Sequence, residues 1–280
     1  MGNVLLAFVC FGGIGLVFGV LLAYASKAFA VKSNPRVEKI ASCLPGANCG
    51  GCGYTSCHAL AVAIEKGVAK TNSCRAVNEE TIKKISDIMG VEAEKTVRMR
   101  AQVMCSGTFD RVRSKYIYEG PRDCAAVVKL GGGNKLCLNG CIGYGTCVAK
   151  CNFDAIKVVD GVAHIDYDKC TGCGSCVSAC PKHIIKLIPY HSAYWVGCMS
   201  VDNGKMTMKN CDIGCIGCRL CERGCEAGAI KIENFVASID YNKCTGCGAC
   251  VAKCPRHIIR TGNLAIHEKK VLENALKKGR

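Results

Sequence analysis

The chain has 280 residues, with 26 cysteines and a formal net charge of +15. Cysteine at that density marks a disulfide scaffold in a short secreted chain, but here most cysteines stand two or three residues apart, and such runs gather thiolates round a metal centre instead of closing loops. This points away from an oxidising compartment, where thiolate ligands are lost, and takes most of the support from nucleic acid as the reason for the charge, because the formal count treats as neutral cysteines that become anionic as metal ligands.

The first predicted element is a membrane helix. Between Val4 and Val31 the only charged residue is Lys27. Residues 4–25, VLLAFVCFGGIGLVFGVLLAYA, are apolar or small throughout and would make about 33 Å of helix, enough to cross a bilayer in contact with lipid. A cleaved signal peptide is the competing reading, helped by the A-x-A at Ala28–Ala30, but no lysine or arginine precedes the apolar run, which is also too long. Lys27, Lys32 and Arg36 follow the run, so the positive-inside rule predicts a single-pass protein of the cell (inner) membrane, amino terminus outside and cluster domains in the cytoplasm. With no acidic or basic side chain in residues 4–25, this helix cannot conduct an ion, and ion movement would fall to other subunits. Residues 1–31 are the predicted anchor.

Residues 32–90 read as a small helical [4Fe–4S] domain. In LPGANCGGCGYTSC, Cys49, Cys52 and Cys57 occupy a glycine-rich loop that runs into an alanine-rich helix, and Cys74 closes the group. Glycines beside such cysteines let backbone amides approach cluster sulfurs. Zinc also takes four thiolates, but its knuckles present two C-x2-C pairs. Cys43 is a bystander. NEETIKKISDIMG predicts a short helix between an Asn78 N-cap and a Gly90 stop. Residues 91–123, with Cys105, form a connector.

A tandem repeat follows. At a fixed shift of 74, residues 124–186 meet residues 198–260 without a gap: Cys124 falls on Cys198, Cys137 on Cys211, Cys141 on Cys215, Cys147 on Cys221 and Cys151 on Cys225. The runs CTGCGSCVSACP and CTGCGACVAKCP superimpose cysteine for cysteine, and the single departure is Tyr144 opposite Cys218. Each run has the bacterial ferredoxin spacing C-x2-C-x2-C-x3-C-P, in which three cysteines on a tight loop hold one cluster and the fourth ligates the other. The predicted modules are therefore residues 124–190 and 191–262, each holding two clusters, with a basic tail at 263–280. AIKVVDGVAHIDY and AIKIENFVASIDY read as strand–turn–strand, with Asp160-Gly161 as a hairpin turn. The fold class is α+β.

The spacing assigns Cys215, Cys218, Cys221 and Cys254 to one cluster of the second module and Cys225, Cys244, Cys247 and Cys250 to the other. In the first module, Cys151, Cys170, Cys173 and Cys176 form a complete set. The site of Cys141, Cys147 and Cys180 lacks the ligand that Tyr144 replaces; Cys137 is the nearest substitute, and a three-cysteine site with a labile iron is the alternative. Five [4Fe–4S] clusters are expected. Of the cysteines left over, Cys105, Cys124, Cys198 and Cys211 are the candidate set for a sixth. CDIGCIGC at 211–218 matches the radical-SAM C-x3-C-x2-C pattern, but it overlaps a ferredoxin run and the flanks are too short for a barrel. There is no phosphate-binding G-x-x-x-x-G-K-[ST] and no strand-anchored G-x-G-x-x-G. His183 and His257 recur because the module recurs, and are read as structural.

The order of an amino-terminal anchor, an LPGxNCGxCG cluster domain and ferredoxin modules resembles the B subunits of the Rnf complex, the ion-translocating ferredoxin:NAD+ oxidoreductase. The likeness covers roughly residues 1–260. A corrinoid iron–sulfur protein carries a similar LPGxNCGxCG domain ahead of an unrelated barrel, so it is the combination that is specific. The doubled ferredoxin region is similar to the longer, clostridial-style members. The resemblance implies an electron-transfer subunit without independent catalysis. It would take electrons from soluble ferredoxin and work beside membrane subunits that move Na+ or H+ and a flavin- and NADH-binding subunit that reduces NAD+. An anchored polyferredoxin serving a different membrane system, or one that reduces a redox regulator, is the alternative. No nucleic-acid partner is expected.

Overall fold

The computed structural model describes residues 2–28, 34–94 and 96–261; the basic tail lies outside them. Helix α1 (Gly2–Ala28) has 27 residues and one charge, Lys27. Its side chains are described from Phe11 to Lys27. The large apolar ones face outward, with Phe11 76 % and Leu22 69 % exposed. Among the described residues no helix is long and apolar enough to cross a membrane.

Three helices build the small domain: α2 (Pro35–Cys43), α3 (Cys57–Glu65) and α4 (Glu79–Met89). Each starts on a side-chain cap. Asn34 accepts from Arg36 N, Ser56 from Ala59 N at 3.0 Å and Asn78 from Thr81 N at 2.9 Å. Gly90 ends α4 in the left-handed conformation (φ 70°), as its sequence predicts. Ile40, Leu60, Ile64 and Ile85 are fully buried where the three helices meet, each contributing about 1.5–3 kcal/mol of transfer free energy.

Strand β1 (Met99–Val103) is followed by α5 (Cys124–Val128), α6 (Thr146–Ala149), β2 (Ile156–Val159), β3 (Val162–Ile165), α7 (Ser175–Ala179) and β4 (Ile185–Pro189). The second copy runs β5 (Trp195–Val196), α8 (Gly204–Asn210), α9 (Leu220–Arg223), β6 (Ile230–Glu233), β7 (Val236–Ile239), α10 (Ala249–Lys253) and β8 (Ile259–Arg260). Each copy holds two two-stranded antiparallel ladders, β1–β4 with β2–β3 and β5–β8 with β6–β7. Val159 pairs with Val162, so Asp160-Gly161 is a two-residue turn; both have positive φ (48° and 76°), the type I′ pattern that suits strand twist.

Two features of the segment read as a connector stand out. Strand β1 completes the first module by pairing with β4, Met99 opposite Pro189 through Val103 opposite Ile185. Further on, the same segment reaches the second module. Val112 joins that module's core and bridges to Cys211. The Arg113 guanidinium donates to Lys209 O at 2.7 Å, and Asp212 N donates to Arg111 O at 2.8 Å.

Candidate metal centres

Cys49, Cys52, Cys57 and Cys74 line one cavity, which Cys173 of the first ferredoxin module also lines. Asn48 takes a left-handed backbone (φ 46°), and its side chain accepts from Cys57 N at 2.8 Å. That bond folds the glycine loop back against the start of α3, bringing Cys49 and Cys52 towards Cys57. Cys74 faces all three.

The ferredoxin runs behave alike. Cys176 faces Cys170, Cys173 and Cys151. Cys215, Cys218, Cys221 and Cys254 line a common cavity. Cys250 faces Cys244 and Cys225, while Cys247 of the same loop is exposed. His183 and His257 follow the fourth cysteine of each run with positive φ (51° and 48°), and their amides donate to Cys180 O and Cys254 O, so both shape the turn that ends the run.

Two cysteines fall elsewhere than expected. The cavity of Cys141, Cys147 and Cys180 is completed by Cys124, and Cys137 is not among its lining residues. Cys137 lines a separate cavity with Cys105, Cys198 and Cys211, so the leftover set loses Cys124 and gains Cys137. The cause is a length difference that a gapless repeat hides. Thirty-two positions separate Cys105 from Cys137, whereas thirteen separate Cys198 from Cys211. The extra chain carries α5, whose N-cap Asp123 accepts from Ala126 N at 3.1 Å and from the Thr146 hydroxyl at 2.6 Å. These bonds pin Cys124 over α6. Tyr144 turns aside to pack at a tilt against Tyr118, ring centroids 5.4 Å apart.

The true counterpart of Cys198 is therefore Cys105. Met104 N donates to Ile184 O at 2.8 Å, and Gly197 N donates to the repeat-related Ile258 O at 2.8 Å. The shared V-x-C of residues 103–105 and 196–198 was the available signal, though three residues are a weak one.

Among the described residues no group of three or more His, Cys, Asp or Glu closes on a point to hold a single ion; the cysteine sets surround cavities instead. Backbone amides aim at the sulfurs, Ala101 N at Cys170 Sγ (3.4 Å) and Cys141 N at Cys105 Sγ (3.3 Å), the donors that tune cluster potentials. Burial pushes the thiol of Cys74 up to about 11 and those of Cys147 and Cys176 up to about 12, so metal-free sites hold protons that ligation must displace. The donor set fits iron–sulfur clusters.

The sites also touch. A Cβ on Gly51 would lie 2.0 Å from Cys173 O, the Ser175 hydroxyl donates to Cys49 O at 3.0 Å and Asn152 Nδ2 to Ala47 O at 2.9 Å. The amino-terminal cysteine loop is thereby packed on that of the first ferredoxin module.

Three families match separate stretches: an Fe-S cluster family over residues 44–76, a 4Fe-4S binding domain over 163–186 and a 4Fe-4S dicluster domain over 214–259. The chain is 42% identical over 248 residues to the B subunit of the ion-translocating oxidoreductase complex of Methanosarcina acetivorans, covering 88% of this chain and 94% of that one. It is 43% identical over 249 residues to the B subunit of the Na(+)-translocating ferredoxin:NAD(+) oxidoreductase complex of Acetobacterium woodii (89% and 75% covered). It is 39% identical over 265 residues to the B subunit of the proton-translocating ferredoxin:NAD(+) oxidoreductase complex of Clostridium ljungdahlii (93% of each). On these relatives and its ferredoxin-type cysteine sites, the chain belongs to the family of Rnf complex B subunits, electron-transfer subunits of the ferredoxin:NAD+ oxidoreductase complex.

Proposed function

We propose that the chain takes electrons from reduced soluble ferredoxin and passes them into a membrane complex that couples NAD+ reduction to Na+ or H+ movement. The sets of Cys49, Cys52, Cys57 and Cys74; Cys124, Cys141, Cys147 and Cys180; Cys151, Cys170, Cys173 and Cys176; Cys215, Cys218, Cys221 and Cys254; and Cys225, Cys244, Cys247 and Cys250 would each hold a [4Fe–4S] cluster. Such clusters, when bound, supply one-electron transfer at low potential. The observation that carries this reading is the packing of the Cys49 loop on the Cys173 loop: it joins the domain nearest the proposed anchor to the ferredoxin modules. The protein's part is to bury the thiolates and aim amides at them, with no nucleotide loop in its sequence.

The full-length protein, loaded anaerobically in detergent, should lose absorbance at about 400 nm on mixing with reduced ferredoxin, without reducing NAD+. Its basic surface should attract an acidic ferredoxin, so the rate should fall as salt rises. Absence of uptake from ferredoxin where dithionite reduces the protein would place its donor elsewhere, and NAD+ reduction by the chain alone would make it an enzyme in its own right.

The anchor is part of the same reading. A single pass through residues 4–25 is supported by the one-charge composition of α1 and the outward-facing Phe11, Phe18 and Leu22, and lysine placement puts the modules inside. A reporter active only in the cytoplasm should report when fused after Arg280, whereas activity of an export-dependent reporter there would reverse the orientation.

A further inference from the structure

The cavity of Cys105, Cys137, Cys198 and Cys211 belongs to neither ferredoxin module alone. It is built from matching halves. From the first copy come Cys105, just past β1, and Cys137, four residues before Cys141. From the second come Cys198, just past β5, and Cys211, four residues before Cys215. The hydrogen bonds repeat with the residues. Gly107 N donates to Cys105 Sγ and Ser200 N to Cys198 Sγ, each at 3.4 Å. Cys141 N donates to Cys105 Sγ, and the Cys215 backbone bonds Cys198 in the same way. The sulfurs of Cys105 and Cys211 flank Gly107, 3.7 and 3.6 Å from where its Cβ would stand. Four thiols thus line one cavity, two from each copy, with matching hydrogen bonds.

A second observation points to an anion here. Lys135 is 3 % exposed and lines the cavity. Its ammonium donates to the carbonyls of Gly107 (2.8 Å) and Gly161 (2.7 Å) and lies 4.8 Å from the Phe109 ring centroid. Two neutral carbonyls and a ring face are poor compensation for a buried cation. The groups facing Lys135 are the sulfurs of Cys105, Cys141, Cys137 and Cys211, which would carry negative charge as cluster ligands.

We propose that Cys105, Cys137, Cys198 and Cys211 hold a sixth [4Fe–4S] cluster at the junction of the two modules, with Lys135 as its counter-charge. Loading exchanges the four thiol protons for the cluster. The assignment rests on the relay reading above and deepens it. Through the amides of Cys141 and Cys215 the site abuts one cysteine set in each module. The sites then form one series, from the Cys225 set through the Cys215 set, this junction, the Cys141 set and the Cys170 set to the Cys49 set.

The test is iron and acid-labile sulfide in the full-length protein, with electron paramagnetic resonance of the reduced form. The expected iron is about 24 per wild-type chain, falling by about one sixth in Cys105→Ala/Cys211→Ala while Cys43→Ala, a thiol outside every set, leaves it unchanged. Iron of about 20 in both wild type and double variant, or one zinc per chain alongside it, would overturn the sixth cluster and leave the five-site relay standing. Wild-type iron of about 12 would remove the relay sites as well. Lys135→Met provides a readout that does not depend on removing a ligand. It should keep its iron and move the potential of one cluster to more negative values; an unchanged redox titration would mean that the buried ammonium faces no cluster.

Discussion

Replacing Cys124 with serine should remove one cluster, about four iron atoms per chain, and adding Tyr144→Cys to that variant should bring the iron back. The reasoning is positional. Cys218 of the second module sits where the first has Tyr144, and Cys218 lines its cavity with Cys215, Cys221 and Cys254. In the first module Cys124 takes that place from a different element, held there by Asp123 and Thr146. A cysteine at 144 restores the local ligand and makes Cys124 dispensable. Cys137→Ser should leave this cluster's signal intact, because Cys137 lines the neighbouring cavity. Unchanged iron in the Cys124→Ser variant, or loss of this signal in Cys137→Ser, would return the ligand to Cys137.

The second large effect is expected from a single methyl group. Gly51→Ala should leave every cluster loaded and slow electron exchange between the amino-terminal site and the modules. The added Cβ would meet Cys173 O at 2.0 Å, and backbone meets backbone there, so no rotamer relieves the clash. Separating the loops also strains the bonds from Ser175 to Cys49 O and from Asn152 to Ala47 O. Overpacking of this kind costs about 1–3 kcal/mol, and each lost hydrogen bond about 0.5–1.5 kcal/mol. Together these match the scale of a domain contact, so the loops should part rather than compress. Freeze-quench spectroscopy after a rapid pulse of reductant reads the effect as delayed reduction of the amino-terminal cluster. Wild-type timing in this variant would show that the contact does not set the rate.

How much of this was legible in the sequence depended on whether the chemistry was local. The caps of α4, the Asp160-Gly161 turn and the tight ferredoxin runs are specified by neighbours a few residues apart, and the structure follows them. The first site was equally plain because Asn48 and Cys57 lie in one loop. Cys124 was not, since its partner set is reached through an extra stretch of chain with no counterpart in the second copy. A gapless shift puts Cys124 opposite Cys198 by coincidence and hides Cys105, which follows β1 in a stretch that sequence alone makes a connector. What decided the grouping was the pairing of β1 with β4, a contact between residues about 85 positions apart that no short-range pattern encodes.

The segment that carries Cys124 also has a bearing on ancestry. Val112 lies in the core of the other copy, and Arg113 donates to the end of α8. A duplicated module that remained a separate bead could be deleted as easily as it was gained. Once one copy fills the other's interior, excision leaves a hole and stranded polar groups, and the shorter chain would have to evolve a replacement surface before it could persist. The doubling in this protein is therefore a ratchet, simple to enter and costly to reverse.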